Sequence, residues 1–432
     1  MFSKSIPTGW KLMSVGEFTS EHKQGFYTKQ SYSDEGVLLA RITDLSNPRV
    51  NFNSMPKLQI SEKDYQAFKV CEGDFLFARS GAIGRYGIVD KTPPKTIFAS
   101  YLIRFKFNEL VNSYYIGQVY ESELTQAQIK AISQGNANIN INAENIKKLK
   151  MLVPPLLEQQ KIAEVLSTVD KKIDLIDQKI AETEKLKTGL MQKLFSEGVG
   201  VQGENGEWQP HTEFQYDSLL GKKPKSWQTE TLGNILDIAS SKRIKREEYV
   251  NEGVPFYRSK EIILKSKQLS FTPEIFISRE RFDKLSEKFG SPQQGDILIS
   301  AVGTIGAIYR VRDEEFYFKD GNLLWIRNID KSGLSSEFLE CYFRSYLCQE
   351  MLANLSAGSS QNALTIVKLS KLPLIIPTKD EQKMIVSIIS SINEKIYLLK
   401  AQKSETQQLK KGLMQKLLTG EWRVPLEETE AA

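Results

Sequence analysis

The sequence predicts a mixed α/β fold of the α+β kind, built twice, each copy having a strand-rich front and a long helix behind it. Three observations predict this. Gly189-Leu190-Met191-Gln192-Lys193-Leu194 recurs letter for letter as Gly412-Leu413-Met414-Gln415-Lys416-Leu417, an offset of 223 residues. Two stretches of about thirty residues lack Gly and Pro and carry apolar residues alternately three and four apart. The fronts hold short apolar runs bounded by Gly, Pro, Asn or Asp, as strands do.

Walking back at 223, Pro154 meets Pro377, Glu158-Gln159 meets Glu381-Gln382, and Lys172-Ile173 meets Lys395-Ile396. Gly73-Asp74 and Gly81-Ala82-Ile83-Gly84 meet Gly295-Asp296 and Gly303-Thr304-Ile305-Gly306 at 222, and Trp10 and Arg41 meet Trp227 and Arg258 at 217. The matched residues are too varied for low complexity, so the chain is read as two copies, residues 1–197 and 223–420.

In the first front, Val37 to Ile42, Asp74 to Ala78, Tyr86 to Val89 and Tyr101 to Phe105 read as strands, and Ser113 to Ile132 as helical. Apolar runs ending in proline, Leu149 to Pro155 and Leu372 to Pro377, come next, and proline both stops a strand and prepares a helix start. The first long helix carries a seam of Ile162, Leu166, Val169, Ile173, Ile176 and Ile180; the second carries Ile385, Ile389, Ile392, Ile396 and Leu399. That spacing is a coiled-coil seam, which Lys403 interrupts where Ile180 stands in the first copy. A helix from Glu158 to Phe195 would span roughly 55 Å and needs a partner for its apolar stripe, which the other copy supplies. Between the copies, Gly198 to Gly206 reads as a flexible glycine-dense connector.

With 432 residues, 40% hydrophobic and 26% charged, two or more cores are expected. No window approaches the run of roughly 18 apolar residues of a membrane span, and Met1 to Pro7 lacks an apolar signal core. Cys71, Cys341 and Cys348 form neither a disulfide framework nor zinc spacing, so a cytoplasmic setting is expected. The net charge of +5 permits a nucleic-acid partner without demanding one.

No phosphate-cradling loop and no dinucleotide fingerprint occurs, so no catalytic residue and no metal site is assigned. His22 and His211 read as surface residues. Val153-Pro154-Pro155-Leu156 superficially resembles the motif of amino-methyltransferases but lacks its polar and aromatic ends, and reads as a strand-to-helix stop.

The DNA candidates are polar stretches. Lys242, Arg243, Lys245 and Arg246 place four cations in a seven-residue segment ahead of Tyr249, and Lys23 lies in a basic counterpart with Phe26 and Tyr27. Each reads either as a phosphate-binding loop or as a solvated charged loop. Arg79 and Ser80, and Ser300 and Thr304, follow matched strands, and the glycines beside them read first as turn residues. Asn136 and Asn138, and Ser359, Gln361 and Asn362, offer amides and hydroxyls that suit base edges or, equally, Asx turns and helix caps. Arg41, Arg258 and Lys260 complete the set.

This constellation resembles the specificity subunit of type I restriction-modification systems. The carriers are Ile6-Pro7-Thr8-Gly9-Trp10 with Lys223-Pro224-Lys225-Ser226-Trp227, the Gly-Asp strands, the proline with Glu-Gln four residues on, and the closing hexapeptide. The resemblance covers nearly the whole chain. It implies target recognition domains at 1–155 and 223–376, conserved helices at 156–197 and 377–420 packed antiparallel as a spacer with pseudo-twofold symmetry, a linker at 198–222 and a tail at 421–432. It implies double-stranded DNA, two modification (methyltransferase) subunits and restriction (endonuclease, translocase) subunits as partners. S-adenosylmethionine, ATP and Mg are then expected on those partners and no cofactor on this chain. Two other classes stay open: the DNA-reading part of a single-chain restriction-methylation enzyme, and a structural coiled-coil adaptor. The first would need catalytic domains elsewhere, and the second predicts no DNA affinity.

Overall fold

The computed structural model describes residues 6–82, 84–133, 141–357 and 363–425. The chain divides into two compact units that cut across the sequence duplication: 1–177 with 401–432, and 178–400. Each unit therefore holds one front, the start of that copy's long helix and the end of the other copy's.

In the first unit, a four-stranded antiparallel sheet has the order Thr19–Gln24, Leu102–Phe107, Phe75–Ala78, Tyr86–Ile88. The second unit repeats it as Asp237–Ala239, Leu323–Arg327, Ile297–Ser300, Ile308–Arg310. A smaller mixed sheet accompanies each, with Val37–Ala40 parallel to Thr96–Phe98 and Val254–Tyr257 parallel to Tyr317–Phe318. A third strand pair joins the front of each copy to the strand before its helix: Lys11–Ser14 with Lys150–Val153, and Gln228–Thr231 with Pro373–Ile376. The central strands Phe75–Ala78 and Ile297–Ser300 are buried along their whole length, which explains their unbroken apolar runs.

The expected helix over Ser113 to Ile132 is two helices, Ser113–Glu121 and Glu123–Ser133. Ser122 breaks it: its backbone is extended, and its hydroxyl donates to the Val119 carbonyl at 2.6 Å. Serine competes with the helix for backbone hydrogen bonds, and here it wins.

The long helices run Leu156–Ser196 and Lys379–Leu417. Within the first unit Ile162 and Leu166, early in the first helix, share a core with Leu417 and Leu418 at the end of the second. Within the second unit Met191, Leu194 and Phe195 share one with Ile385 and Ile389. Starts meet ends, so the helices pack antiparallel. The seam is buried at Ile162, Leu166, Ile176, Ile385, Ile389 and Ile396 and half-buried at Val169, Ile173, Ile180, Ile392 and Leu399. Phe195 alone, 2% exposed and edge-packed on Tyr342, contributes about 1.5–3 kcal/mol of apolar burial.

The Glu-Gln pair at each helix start has a structural task that explains its recurrence. Gln159 accepts from the Asn112 amide at 2.8 Å and donates to the Leu110 and Pro154 carbonyls, fastening the following helix. Gln382 repeats this with the Ser335 amide and the Gly333 and Pro377 carbonyls.

The connector corrects the expectation of a flexible link. It folds into two hairpins, Val201–Gln202 with Trp208–Gln209 and Phe214–Asp217 with Gly221–Pro224. His211, expected at the surface, has a side chain only 6% exposed and lies 2.9 Å from Glu381. A buried carboxylate needs donors, and the connector supplies them.

Candidate nucleic-acid interface

In both units, loops far apart in sequence meet at one end of the four-stranded sheet. In the first unit the strand Thr19–Gln24 runs into Gly25, whose amide donates to Leu102 at 3.0 Å. A Cβ at Gly25 would stand 2.1 Å from the Ala99 carbonyl oxygen, so only glycine lets these backbones cross. Phe26 then donates to Phe98 and accepts from Ser100, and its ring packs on Phe68 at 5.3 Å. At the next strand end the Arg79 amide donates to Tyr101 at 2.9 Å, while the Arg79 carbonyl accepts from Ile141 at 2.8 Å. Gly25 and Phe26, Arg79, the turn at 99–101 and Ile141 are thus tied into one rim.

The second unit builds the same rim. The Ala301 amide donates to Asn322, the Leu364 amide to Ala301, and Val302 bridges Ala363. The basic loop is held at three points: Ser241 Oγ donates to the Phe318 carbonyl at 2.6 Å, the Lys242 amide to Tyr317 Oη at 3.2 Å, and Ile244 is buried against Val254, Phe256 and Tyr317. Burying Ile244 between cations forces Arg243 and Lys245 outward. Gly81 and Gly303, just after the matched central strands, have φ of 71° and 75°, the left-handed turn that glycine favours.

The candidate side chains divide. Arg243 and Arg246 are exposed, as is Lys242, whose ammonium sits 4.7 Å from the Phe289 ring centre. Lys245 is 3.6 Å from Glu247, both exposed. Thr304 is exposed, whereas Ser300 is fully buried and closes its turn, accepting from Ala307 at 2.9 Å. Arg79 and Ser80 are half-buried. Lys23 donates to the Ala67 carbonyl at 2.7 Å and covers Phe68. Arg41 is held by Asp44, through Nε and Nη2 at 3.0 Å each, and Arg258 by Glu261 and Glu274, with Lys260 on Glu274 at 2.7 Å. The matched arginines therefore share a structural task, pinning the chain just after the strand at 37–40 or 254–257. Burial pushes the Glu261 carboxyl up, but hydrogen bonds from the Arg258 side chain and backbone bring it below the usual range. Asn136, Asn138, Ser359, Gln361 and Asn362 lie outside the described residues.

Sequence reading missed three exposed rim residues: Tyr101, 61% exposed, Tyr32, 60% exposed, and Lys319. A tyrosine at the start of an apolar run reads as a strand residue, and only strand pairing shows that Tyr101 lies in the turn before it. Among the described residues no helix is long and apolar enough to cross a membrane, and no three His, Cys, Asp or Glu side chains group as a metal site requires.

Each unit thus builds a homologous rim on the same backbone scaffold with its own side chains. Residues 7–185 and 224–408 match the model of the type I restriction modification DNA specificity domain. The chain belongs to that family and has the two recognition domains of a type I specificity subunit. It is 24% identical over 457 residues to the type I restriction enzyme MjaVIII specificity subunit of Methanocaldococcus jannaschii, covering 98% of this chain and 95% of that one. The fold is similar to a solved chain described under complex assembly and conformational transition of the type I R-M system, with a TM-score of 0.60, 20% identity and 97% and 100% of the two chains covered. It is also similar to the S subunit of a type I system from M. genitalium, with a TM-score of 0.55, 17% identity and 96% and 98% covered.

Proposed function

We propose that this chain reads a two-part DNA target, one half with each rim, and directs adenine methylation and cleavage carried out by partner subunits. The observation that carries this reading is the twice-built rim: one backbone scaffold, two sets of side chains. Reading differs from holding, and a scaffold kept while its exposed residues diverge is what two unlike half-sites require. In this reading the chain contributes no bond-making chemistry. S-adenosylmethionine, ATP and Mg belong to the partners, and the complex works in the cytoplasm.

The partners are two modification subunits with restriction subunits beside them. Support comes from duplicated apolar exposure on the long helices. Leu175 and its counterpart Leu398 are each 57% exposed, and Leu186 and Leu409 each 54%. A leucine kept in water at matched places in both copies fits a docking face present twice, hence two copies of one partner.

The test is adenine methylation mapping across the genome by single-molecule sequencing, with the gene intact and deleted. A split motif with a fixed gap should vanish on deletion, and exchange of residues 223–376 for those of a relative should change one half of it only. Unchanged methylation in cells that make the partners would sink the reading.

A further inference from the structure

We infer that the two rims engage DNA by different chemistry: Tyr27 and Tyr101 of the first make apolar contacts with base edges, while Arg243, Arg246 and Lys242 of the second hold phosphates. This deepens the proposed function and rests on it. The strand pairing allows a position-by-position comparison. Lys23 pairs with Arg104 in the first sheet, and Ala239 with Trp325 in the second. Four residues beyond the paired position stands Tyr27, 68% exposed, in the first unit and Arg243, also exposed, in the second. The turn residue whose carbonyl receives the amide after the central strand is Tyr101 in the first unit and half-buried Asn322 in the second. At two matched places, an exposed aromatic ring is replaced by a cation and by an amide.

The surroundings widen the difference. The first rim has exposed Lys29 and Arg85, which come from two different loops. The second packs its cations into one anchored loop, with exposed Lys319 in the neighbouring turn. Dense exposed cations act through counterion release and give a strongly salt-dependent, sequence-blind affinity. A rigid aromatic side chain in water has the opposite profile: it surrenders little rotamer freedom when it binds, gains by covering apolar surface such as a thymine methyl, and is nearly insensitive to salt. The rims are backbone-tied, so both sets are presented pre-organised.

The experiment takes the full-length chain, a pool of random-sequence 40-base-pair duplexes, and binding between 50 and 300 mM salt, with the bound fraction sequenced. The wild type should enrich a split motif. R243Q/R246Q should keep both halves of the motif and flatten the slope of log affinity against log salt by about 2, one unit for each phosphate no longer neutralised. Y27A/Y101A should leave that slope unchanged and lose enrichment of one half, and Y27F/Y101F should restore it, because the ring and not the hydroxyl touches the base. Both tyrosines are exposed, so the fold should tolerate their loss. The inference is overturned if Y27A/Y101A keeps both halves enriched, or if the arginine pair leaves the slope unmoved. A wild type that retains no duplex at any salt would instead remove the proposed function, and the inference with it.

Discussion

In the first unit, Glu158 at the foot of the long helix accepts from Trp10 Nε1 at 3.0 Å and from Arg423, which is about half exposed. In the second, Glu381 accepts from Trp227 Nε1 at 2.7 Å, from the Val199 and Gly200 amides at 2.9 and 3.1 Å, and lies 2.9 Å from His211. Both carboxylates are 1% exposed. The tryptophan and glutamate are the duplicated part; the other donors come from whatever segment follows each helix, a tail in one case and the connector in the other. Duplication thus preserved the acceptor and left its satisfaction to local invention.

This comparison predicts unequal damage. Glu381→Ala strands an indole and two backbone amides in a dry site and should cost the second unit about 3–5 kcal/mol. Glu158→Ala should cost the first about 1–3 kcal/mol, since Arg423 can return to water and only Trp10 loses a buried partner. Hydrogen-exchange mass spectrometry on the full chain resolves the units, and equal loss of protection in both would break the comparison.

The buried aspartates differ the same way. Asp74 lies 3.9 Å from Arg104, which is 5% exposed and also bonded to Glu21, whereas Asp296 accepts from Trp325 Nε1 at 2.8 Å. Arg104 and Trp325 oppose Leu76 and Leu298, the same rung of the two sheets. Arg104→Met leaves Asp74 buried without its cation and should destabilise the first unit by about 3 kcal/mol. Trp325→Phe keeps the ring and removes one hydrogen bond, costing the second about 1–2 kcal/mol. Urea midpoints of the two single variants, read by the same exchange experiment, order them.

A third pair changes sign. Lys410 reaches Glu121 and Asp170, both at 2.8 Å. Its counterpart Lys187 has Arg344 where Glu121 stands and Asn393 where Asp170 stands, and the nearby Glu184 is taken by Lys400 at 2.9 Å. Burial lowers the Lys187 pKa and Arg344 lowers it further, whereas at Lys410 the two carboxylates outweigh burial and raise it. Lys410→Met should therefore destabilise by about 1–2 kcal/mol, and Lys187→Met should be neutral or stabilising by up to about 1 kcal/mol. Thermal melts of both variants, shifted the same way, would contradict this.

The frame was legible in the sequence because its signals are periodic or duplicated: the seam from Ile162 to Ile180, the strands around Phe75 and Ile297, and the Glu-Gln helix starts. What stayed hidden depended on contacts between distant residues. His211 reads as a surface residue until Glu381, 170 positions away, is seen to need it. Ser122 splits a helix that composition alone would continue. The rim was half legible. The cationic loop announces itself by charge, but Arg41 and Arg258 look like free cations until Asp44 and Glu261, three residues on, claim them. Tyr101 looks like part of a strand, and only the pairing of Leu102 with Ala78 leaves it in the turn.

The smallest expected effect is on acid response, and it follows from the same contrast. In the second unit, burial raises Glu261 and Glu314, but Arg258 for one and Tyr309 with Lys265 for the other outweigh it, so both sit below the usual carboxylate range. Groups with depressed folded pKa contribute stability that is present above the unfolded value of about 4.3 and lost as pH falls through the folded one. In the first unit burial raises Asp74, the opposite sign: its folded form binds the proton more readily, so acidification through its raised value adds stability. Glu21, lowered by its hydrogen bond from Lys106 against some burial, offsets part of that gain. Between pH 6 and 3.5 the second unit should therefore lose protection before the first, measured as exchange corrected for intrinsic rates. Asp74→Asn should remove the compensation and bring the first unit's loss closer to the second's, and a first unit that fails earlier than the second in the unaltered chain would show that the buried Asp74 does not set the difference.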